Sequence, residues 1–279
     1  MKLDIFKKIQ ETKKVLSFKN FKPIIAIITG SGLGEISSQF DIYKVIKYSK
    51  VPYFPKATAP GHAGELLLSS YNNIDFLIFN GRFHYYEGHS PQDVIYPLRV
   101  MKLLGIKTLV LTAAVGALNK KYNIGDIVVL KDHINFTGNS PLIGPNFEEF
   151  GERFPNMENV YDYSLRKKVL SIAKTLNIKA KEGIYFAVSG PAYETLAEIK
   201  AYRILGGDVV GMSVVYEATA AAHMKFNTLG LAYVSNMAAG INDKPLIHSE
   251  VLKTGERVSG NLAKIIKHII FLVRKKEER

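Results

Sequence analysis

The chain has 279 residues, 47% of them hydrophobic, and no cysteine. That provides for a sizeable core and excludes a disulfide scaffold, a Cys-type zinc site and a thiol nucleophile. The formal net charge is +12, but lysines crowd the termini without any RNA-binding or zinc-finger signature, so no nucleic-acid partner is expected.

The first segment, MKLDIFKKIQETKK, lacks the continuous apolar core and small-residue cleavage site of a signal peptide. No run approaches 18 apolar residues, so no membrane span is expected and the protein reads as cytoplasmic. Apolar spacing at Leu3, Phe6, Ile9, Val15 and Leu16 predicts an amphipathic helix. IIAIIT, ending at Thr29, predicts a buried strand that runs into the loop GSGLG. LLLSS and FLIFNG frame a hairpin around YNNID. Ser90 and Pro91 start a helix as N-cap and first helical residue. TLVLTAAVG and DIVVLKDHIN predict strands; SLRKKVLSIAKTLNI predicts a helix and GIYFAVSG a strand. AYETLAEIKAYRILG (helix), VVGMS (strand), YEATAAAHMKFN (helix) and LGLAYVSNMAAG (strand) follow. The tail from His248 carries apolar residues at Val251, Leu252, Val258, Leu262, Ile265, Ile266, Ile269, Ile270 and Val273, the pattern of a long amphipathic helix.

Alternating helices and nearly all-apolar strands predict an α/β fold with a central mixed sheet covered by helices on both faces. Neither a linker nor an internal repeat divides the chain, so residues 1–279 read as one domain. In such sheets ligands sit beyond the carboxyl ends of the strands, and six unusual loops fall there. GSGLG reads either as a tight turn or as an anion cradle with Ser31 as hydroxyl donor; its spacing fits neither the dinucleotide fingerprint nor a Walker loop. His62 lies on the flexible loop APGHAGE. Arg82, His84, Tyr86 and Glu87 follow a strand, and in an extended segment Arg82, His84 and Tyr86 share one side. Arg beside His suits an oxyanion; the alternative is a surface ion pair between Arg82 and Glu87. Tyr193 and Glu194 stand near a helix start, Met212 and Ser213 follow a strand, and the Asn236 amide can donate and accept. His133 reads as a structural histidine.

Nine collinear segments carry a resemblance over nearly the whole chain: TGSGLGE, PGHAGEL, GRFHYYEGHS, LVLTAAVGALN, GDIVVLKDHIN, SGPAYETLAEIK, DVVGMSVVYEATAAAH, SNMAAGI and HSEVL. The chain resembles the trimeric purine nucleoside phosphorylases, the family that includes methylthioadenosine phosphorylase. The resemblance implies a reaction in which phosphate attacks C1′ of a purine ribonucleoside or 2′-deoxyribonucleoside, giving free base and pentose 1-phosphate for purine salvage. It implies that Ser31, His62, Arg82, Ser213 and the backbone of Ala114 hold phosphate with His84 beside it. By the same resemblance Tyr86, Met212 and His248 hold the ribose, and Tyr193, Glu194 and Asn236 the purine. Asn236, Glu194 and His84 are the expected catalytic groups. No metal and no cofactor is implied, phosphate being a co-substrate, and the expected assembly is a homotrimer. In that family an aromatic residue of a neighbour closes the ribose site; Phe147, Phe150 and Phe154 are candidates, on a loop, roughly 137–160, expected to be a mobile flap.

Asn236 and Glu194 point to 6-oxopurines, since the adenosine branch carries Asp at the first position and lacks the second. Val115, Ala113, Tyr193 and Tyr216 depart from the family pattern and bear on tolerance for sugar or base, xanthosine included. The alternatives are a methylthioadenosine or adenosine phosphorylase, a xanthosine-accepting phosphorylase, or a nucleoside- or phosphate-binding protein without turnover.

Overall fold

The computed structural model describes residues 2–242 and 247–277. One nine-stranded mixed sheet organises them. Helix α1 (Lys2–Leu16) precedes strand β1 (Ile25–Ile28), which pairs in parallel with β4 (Ile74–Asn80) on one side and β5 (Thr108–Ala117) on the other. Strands β3 (Glu65–Tyr71) and β4 form the expected hairpin; Asn72 and Asn73 turn it with φ of 48° and 62°, the primed geometry that suits the strand twist. An edge strand not expected from the sequence, β2 (Asp41–Lys47), adds antiparallel to β3. Its side chains are mostly exposed, so no burial pattern marked it.

The second half closes a ring. β6 (Ile127–Asn135) pairs in parallel with β7 (Ala180–Ala187), β7 with β8 (Val209–Gly211), and β8 antiparallel with the end of β5. β9 (Asn227–Met237) joins β6 on one side and β5 on the other. The carboxyl ends of β5 and β9 therefore lie side by side, with Gly116 opposite Asn236.

Strand residues alternate between two cores, as period-two geometry requires. Ala26, Ile28, Leu77 and Phe79 face α1, α3 (Tyr96–Leu103) and α6 (Val215–His223). Ile25, Ile27, Phe76 and Ile78 face α4 (Tyr163–Thr175) and the long α7 (His248–Glu277). The helix expected from Ser90 divides. Ser90 caps α2 (Pro91–Val94) through a reciprocal bond with Asp93, and α3 restarts beyond Ile95 with Pro97 in its first turn, where a proline lacks only an already orphaned donor. α5 (Leu196–Ile204) starts later than expected: Thr195 is its N-cap, boxed with Glu198, which leaves Tyr193 and Glu194 in the preceding loop. Among the described residues no helix is long and apolar enough to cross a membrane.

Candidate active site

A cavity of about 370 Å³ opens where these strands end. The loops after β1, β4, β7 and β8 contribute to it, as do the final residues of β5 and β9 themselves and Val251 from the first turn of α7. Two buried threonines tie the ends of β1 and β4 to each other and to β5. Thr29 donates to the Phe79 carbonyl and accepts from the Gly81 amide. Thr112 donates to the Ile28 carbonyl and accepts from the Gly30 amide. Gly32 has φ of +72°, and a Cβ there would stand 2.9 Å from the Leu252 carbonyl oxygen, so only glycine lets this turn lie against α7. The buried Tyr233 hydroxyl fixes the same contact, reaching the carbonyls of Ser31 and Val251.

Arg82 lies at the polar end of the cavity and is 3% exposed. Its partner is Glu217 of α6, equally buried, with Oε1 3.4 Å from Nε. None of the three guanidinium nitrogens makes a hydrogen bond among the described residues. A buried cation with its fork unsatisfied is costly unless an anion meets it. The alternative of a surface pair with Glu87 does not form. Glu87 instead accepts from His84 Nδ1 at 2.8 Å and from the backbone and hydroxyl of Thr58. Burial alone would raise its pKa, but the bonds from His84 and Thr58 outweigh it and hold it at about 2. His84 moves down, chiefly by burial and with the Arg82 charge adding to it, against the pull of Glu87. It is thus neutral at pH 7, with its Nδ1 proton on Glu87 and its Nε2 lone pair available. The ring stacks on Tyr86 at 4.6 Å.

His62 stands behind Ser31, outside the cavity wall. Its Nδ1 accepts from the Arg82 amide at 3.0 Å and its Nε2 faces the Ser31 hydroxyl at 3.2 Å. The accepting Nδ1 places the proton on Nε2, so Ser31 accepts from His62 and keeps its own proton to donate. Ser213 is set by a tight turn. Its carbonyl accepts from the Val215 amide at 2.7 Å, and Val214 between them has φ of +67°, a strained conformation for a β-branched residue. The buried Tyr185 hydroxyl holds this turn by accepting from the Ser213 amide at 3.0 Å; burial raises its pKa to about 12, so it remains a neutral phenol.

Other groups line the same cavity: Ala113, Ala114, Val115, Tyr193, Glu194, Met212 and Asn236. The Ser235 hydroxyl donates to Asn236 Oδ1 at 2.7 Å, and Asn236 Nδ2 donates to the Met237 carbonyl at 3.2 Å, leaving its second proton for a ligand. Burial raises the Glu194 pKa. His248 opens α7 three residues before Val251, but its side chain lies outside the described residues. His133 is 3.1 Å from the Tyr161 hydroxyl, in keeping with a structural role. The loop between β6 and α4 is tied down internally: Arg153 donates to the carbonyls of Leu142 and Gly144, and Asn146 to that of Gly151. Phe147 and Phe150 are buried in the chain's own core, whereas Phe154 is 85% exposed.

Sequence reasoning missed Glu217, Tyr185, Thr29, Thr112 and Tyr233. Each sits inside an element or, for Thr29, just beyond the end of β1, with burial that also suits plain packing, so the sequence offered no separate signal. Glu87 stands near Arg82 in sequence, but its partners in the fold are His84 and Thr58.

The geometry defines a class: an α/β protein whose strand-end cavity sets a buried, unpartnered guanidinium beside a carboxyl and a carboxamide side chain. The chain belongs to the Phosphorylase superfamily, which it matches over residues 24–270. It is 45% identical over 248 residues to Purine nucleoside phosphorylase 1 of Bacillus subtilis (strain 168), covering 89% of this chain and 92% of that one. Purine nucleoside phosphorylase of Mus musculus is 38% identical over 261 residues, covering 91% and 90%. Isoform 2 of purine nucleoside phosphorylase from Schistosoma mansoni, solved in complex with cytosine and ribose-1-phosphate, superposes with a TM-score of 0.90 at 38% identity, covering 95% of this chain and 96% of that one. A Schistosoma mansoni purine nucleoside phosphorylase in complex with adenosine gives 0.86 at 36%, covering 96% of each chain.

Proposed function

We propose that the protein catalyses phosphorolysis of purine ribonucleosides and 2′-deoxyribonucleosides, with inosine and guanosine preferred. One observation carries the reading: the buried, unsatisfied guanidinium of Arg82 shares a cavity with Glu194 and Asn236. In this reading Arg82 forks onto two phosphate oxygens, while the Ser31 hydroxyl, Ser213 and the Ala114 backbone bind the others. The neutral His84 accepts the P–OH proton of monohydrogen phosphate at Nε2 and so turns an anionic oxygen toward C1′. His62 acts through Ser31. Tyr86, Met212 and His248 hold the sugar; a thioether packs on a sugar face with or without a 2′-hydroxyl, which is why deoxyribonucleosides belong to the proposal.

As the C1′–N9 bond breaks, its electron pair moves into the purine and the sugar gains oxocarbenium character. A phosphate oxygen forms the new bond to C1′, and its negative charge offsets that of the cationic sugar. The Asn236 amide, oriented by Ser235, donates to N7 as the purine becomes anionic, a stabilisation preorganised before the reaction. The Glu194 carboxylate accepts from N1–H of a 6-oxopurine, and Tyr193 covers the ring. An adenine base would set its N1 lone pair against that carboxylate, the type of mismatch that discriminates strongly. Phosphate is the co-substrate: monohydrogen phosphate gives up one proton on becoming the pentose 1-phosphate dianion, and the purine anion takes one up as it leaves as the free base.

The test is inosine with and without phosphate, followed by hypoxanthine release. Release that requires phosphate is expected; equal release without it would mean hydrolysis, and none from any purine nucleoside would leave a binding protein. A second reading, acceptance of 6-aminopurine nucleosides, is favoured by the raised pKa of Glu194, because a protonated carboxyl donates to N1 of adenine. Guanosine, xanthosine, adenosine and methylthioadenosine in parallel decide the range. We also propose a homotrimer: Leu196, Ile204, Leu205 and Phe154 are large apolar side chains left exposed on the single chain. Light scattering is expected to give about three times the 31.1 kDa of the chain.

A further inference from the structure

A second cavity, of about 290 Å³, lies under the loop between β6 and α4 and shares no wall residue with the first. It sits between that loop, α1, α3 and the end of α6. Ile5, Leu142, Ile143 and Phe147 give it apolar walls, and two buried polar side chains enter it: Arg99, 8% exposed, and His223, 7% exposed. The Arg99 guanidinium lies 4.8 Å from the centroid of the Phe147 ring. Its pKa falls to about 10 through burial, and among the described residues no carboxylate acts to raise it. The other polar walls are already engaged. His223 Nε2 is 3.2 Å from Asn146 Oδ1, Asn146 Nδ2 donates to the Gly151 carbonyl, and Gln92 Nε2 donates to the Ile143 carbonyl.

A ring face offsets part of the cost of burying a guanidinium, but it satisfies none of the five N–H donors. Those donors form a planar fork that fits a carboxylate. Burial lowers the pKa of His223, Arg99 lowers it further, and the carbonyls of Gly151 and Glu152 and the Glu152 charge oppose them. His223 is therefore neutral near pH 7, and among the described residues that line the cavity Arg99 is the one cation. A monoanion balances that charge, whereas a phosphate dianion would leave excess charge among apolar walls.

We propose that this cavity is a second binding site, for a small organic monocarboxylate whose carboxylate forks onto Arg99 and whose apolar body packs against Ile5, Leu142 and Phe147. The space is near the lower bound of ligand pockets and suits a short aliphatic or single-ring acid.

Benzoate is the probe and benzamide its uncharged counterpart, titrated by calorimetry into the whole protein. Benzoate is expected to bind with saturation, and benzamide about tenfold more weakly or worse, having lost the charge-assisted bonds. Arg99→Met should abolish benzoate binding and Arg99→Lys weaken it, while Arg82→Met, in the first cavity, should leave it intact. Leu142→Trp narrows the site and keeps Arg99; it should abolish binding of both probes while the thermal unfolding transition is kept, and it carries the test should Arg99→Met not fold. No benzoate binding to the wild type, binding unchanged in both Arg99→Met and Leu142→Trp, or binding lost with Arg82→Met would each overturn the proposal. So would a change in assembly mass on Arg99→Met without any benzoate binding, since a second copy of the chain would then be what covers Arg99.

Discussion

Arg82 is placed by Glu217: Oε1 stands 3.4 Å from Nε, and neither terminal amino group has a hydrogen-bond partner among the described residues. If phosphate supplies the missing acceptors, Arg82→Met removes two charge-assisted bonds, and the KM for phosphate should rise by about 100-fold or more. Saturation with phosphate at fixed inosine checks this; a rise confined to the inosine KM would put phosphate elsewhere. Glu194 gives a pH prediction. Burial raises its pKa above the usual carboxylate value, so its protonated fraction grows as pH falls into the acid range and reaches a given level earlier than for an exposed glutamate. The protonated form donates to adenine N1 and no longer accepts from hypoxanthine N1–H. The kcat/KM ratio of inosine to adenosine should therefore fall from about pH 8 to about pH 5. A flat ratio would remove Glu194 from base recognition. Arg82 and His84 were legible in the sequence because polar side chains of reactive type closely follow an apolar strand, and Glu194 and Asn236 because the segments that hold them carry the family resemblance. Glu217 was not, since a glutamate in a helix usually faces water.

The loop after β4 shows how an element depends on one carboxylate. Glu87 accepts from the His84 backbone and ring and from Thr58 and the Ala59 amide, closing the loop on the neighbouring one. A carboxyl group with a folded pKa below its unfolded one stabilises the fold above the unfolded value and loses this as pH falls. For Glu87 the window runs from 4.5 down to about 2. Glu87→Gln should cost about 2 kcal/mol at neutral pH, or about 5 °C in Tm for a chain of this size. The gap from wild type should shrink as pH drops from about 6 to about 3; calorimetry at several pH values measures it, and a constant gap would assign the loss to packing. The β3–β4 hairpin, the Ser90 cap and α7 were readable from local signals: paired asparagines, Ser-Pro and a sustained helical period. The turn at Val214 was not, because a valine carries no turn signal and its positive φ is imposed by Tyr185 and the start of α6. β2 escaped because an exposed edge strand has no buried face to pattern.

The molecule as a whole adds what no segment encodes. The closed ring from β5 through β8, β7 and β6 to β9 brings together the strand ends at Ala113–Gly116 and Asn236. Alternating helices and strands implied a sheet, but ring closure depends on β9 pairing twice, and strand pairing over such distances leaves no mark on either strand. Charge also acts at this scale. The net charge of +12 surrounds a reaction whose proposed substrates differ in charge: inosine is neutral and phosphate anionic. A positive field raises the encounter rate of an anion and leaves a neutral molecule unaffected. Salt screens exposed charges beyond about 10 Å at 0.1 M, so the distant lysines lose their effect while Arg82, buried at the contact, keeps most of its own. The kcat/KM for phosphate should therefore fall several-fold between about 20 mM and about 300 mM ionic strength, and that for inosine at saturating phosphate should change little. Initial rates at constant pH with a chloride salt separate the two. A parallel fall for both substrates would mean that salt acts on the fold or on assembly, and no fall for either would leave Arg82 as the only charge that phosphate senses.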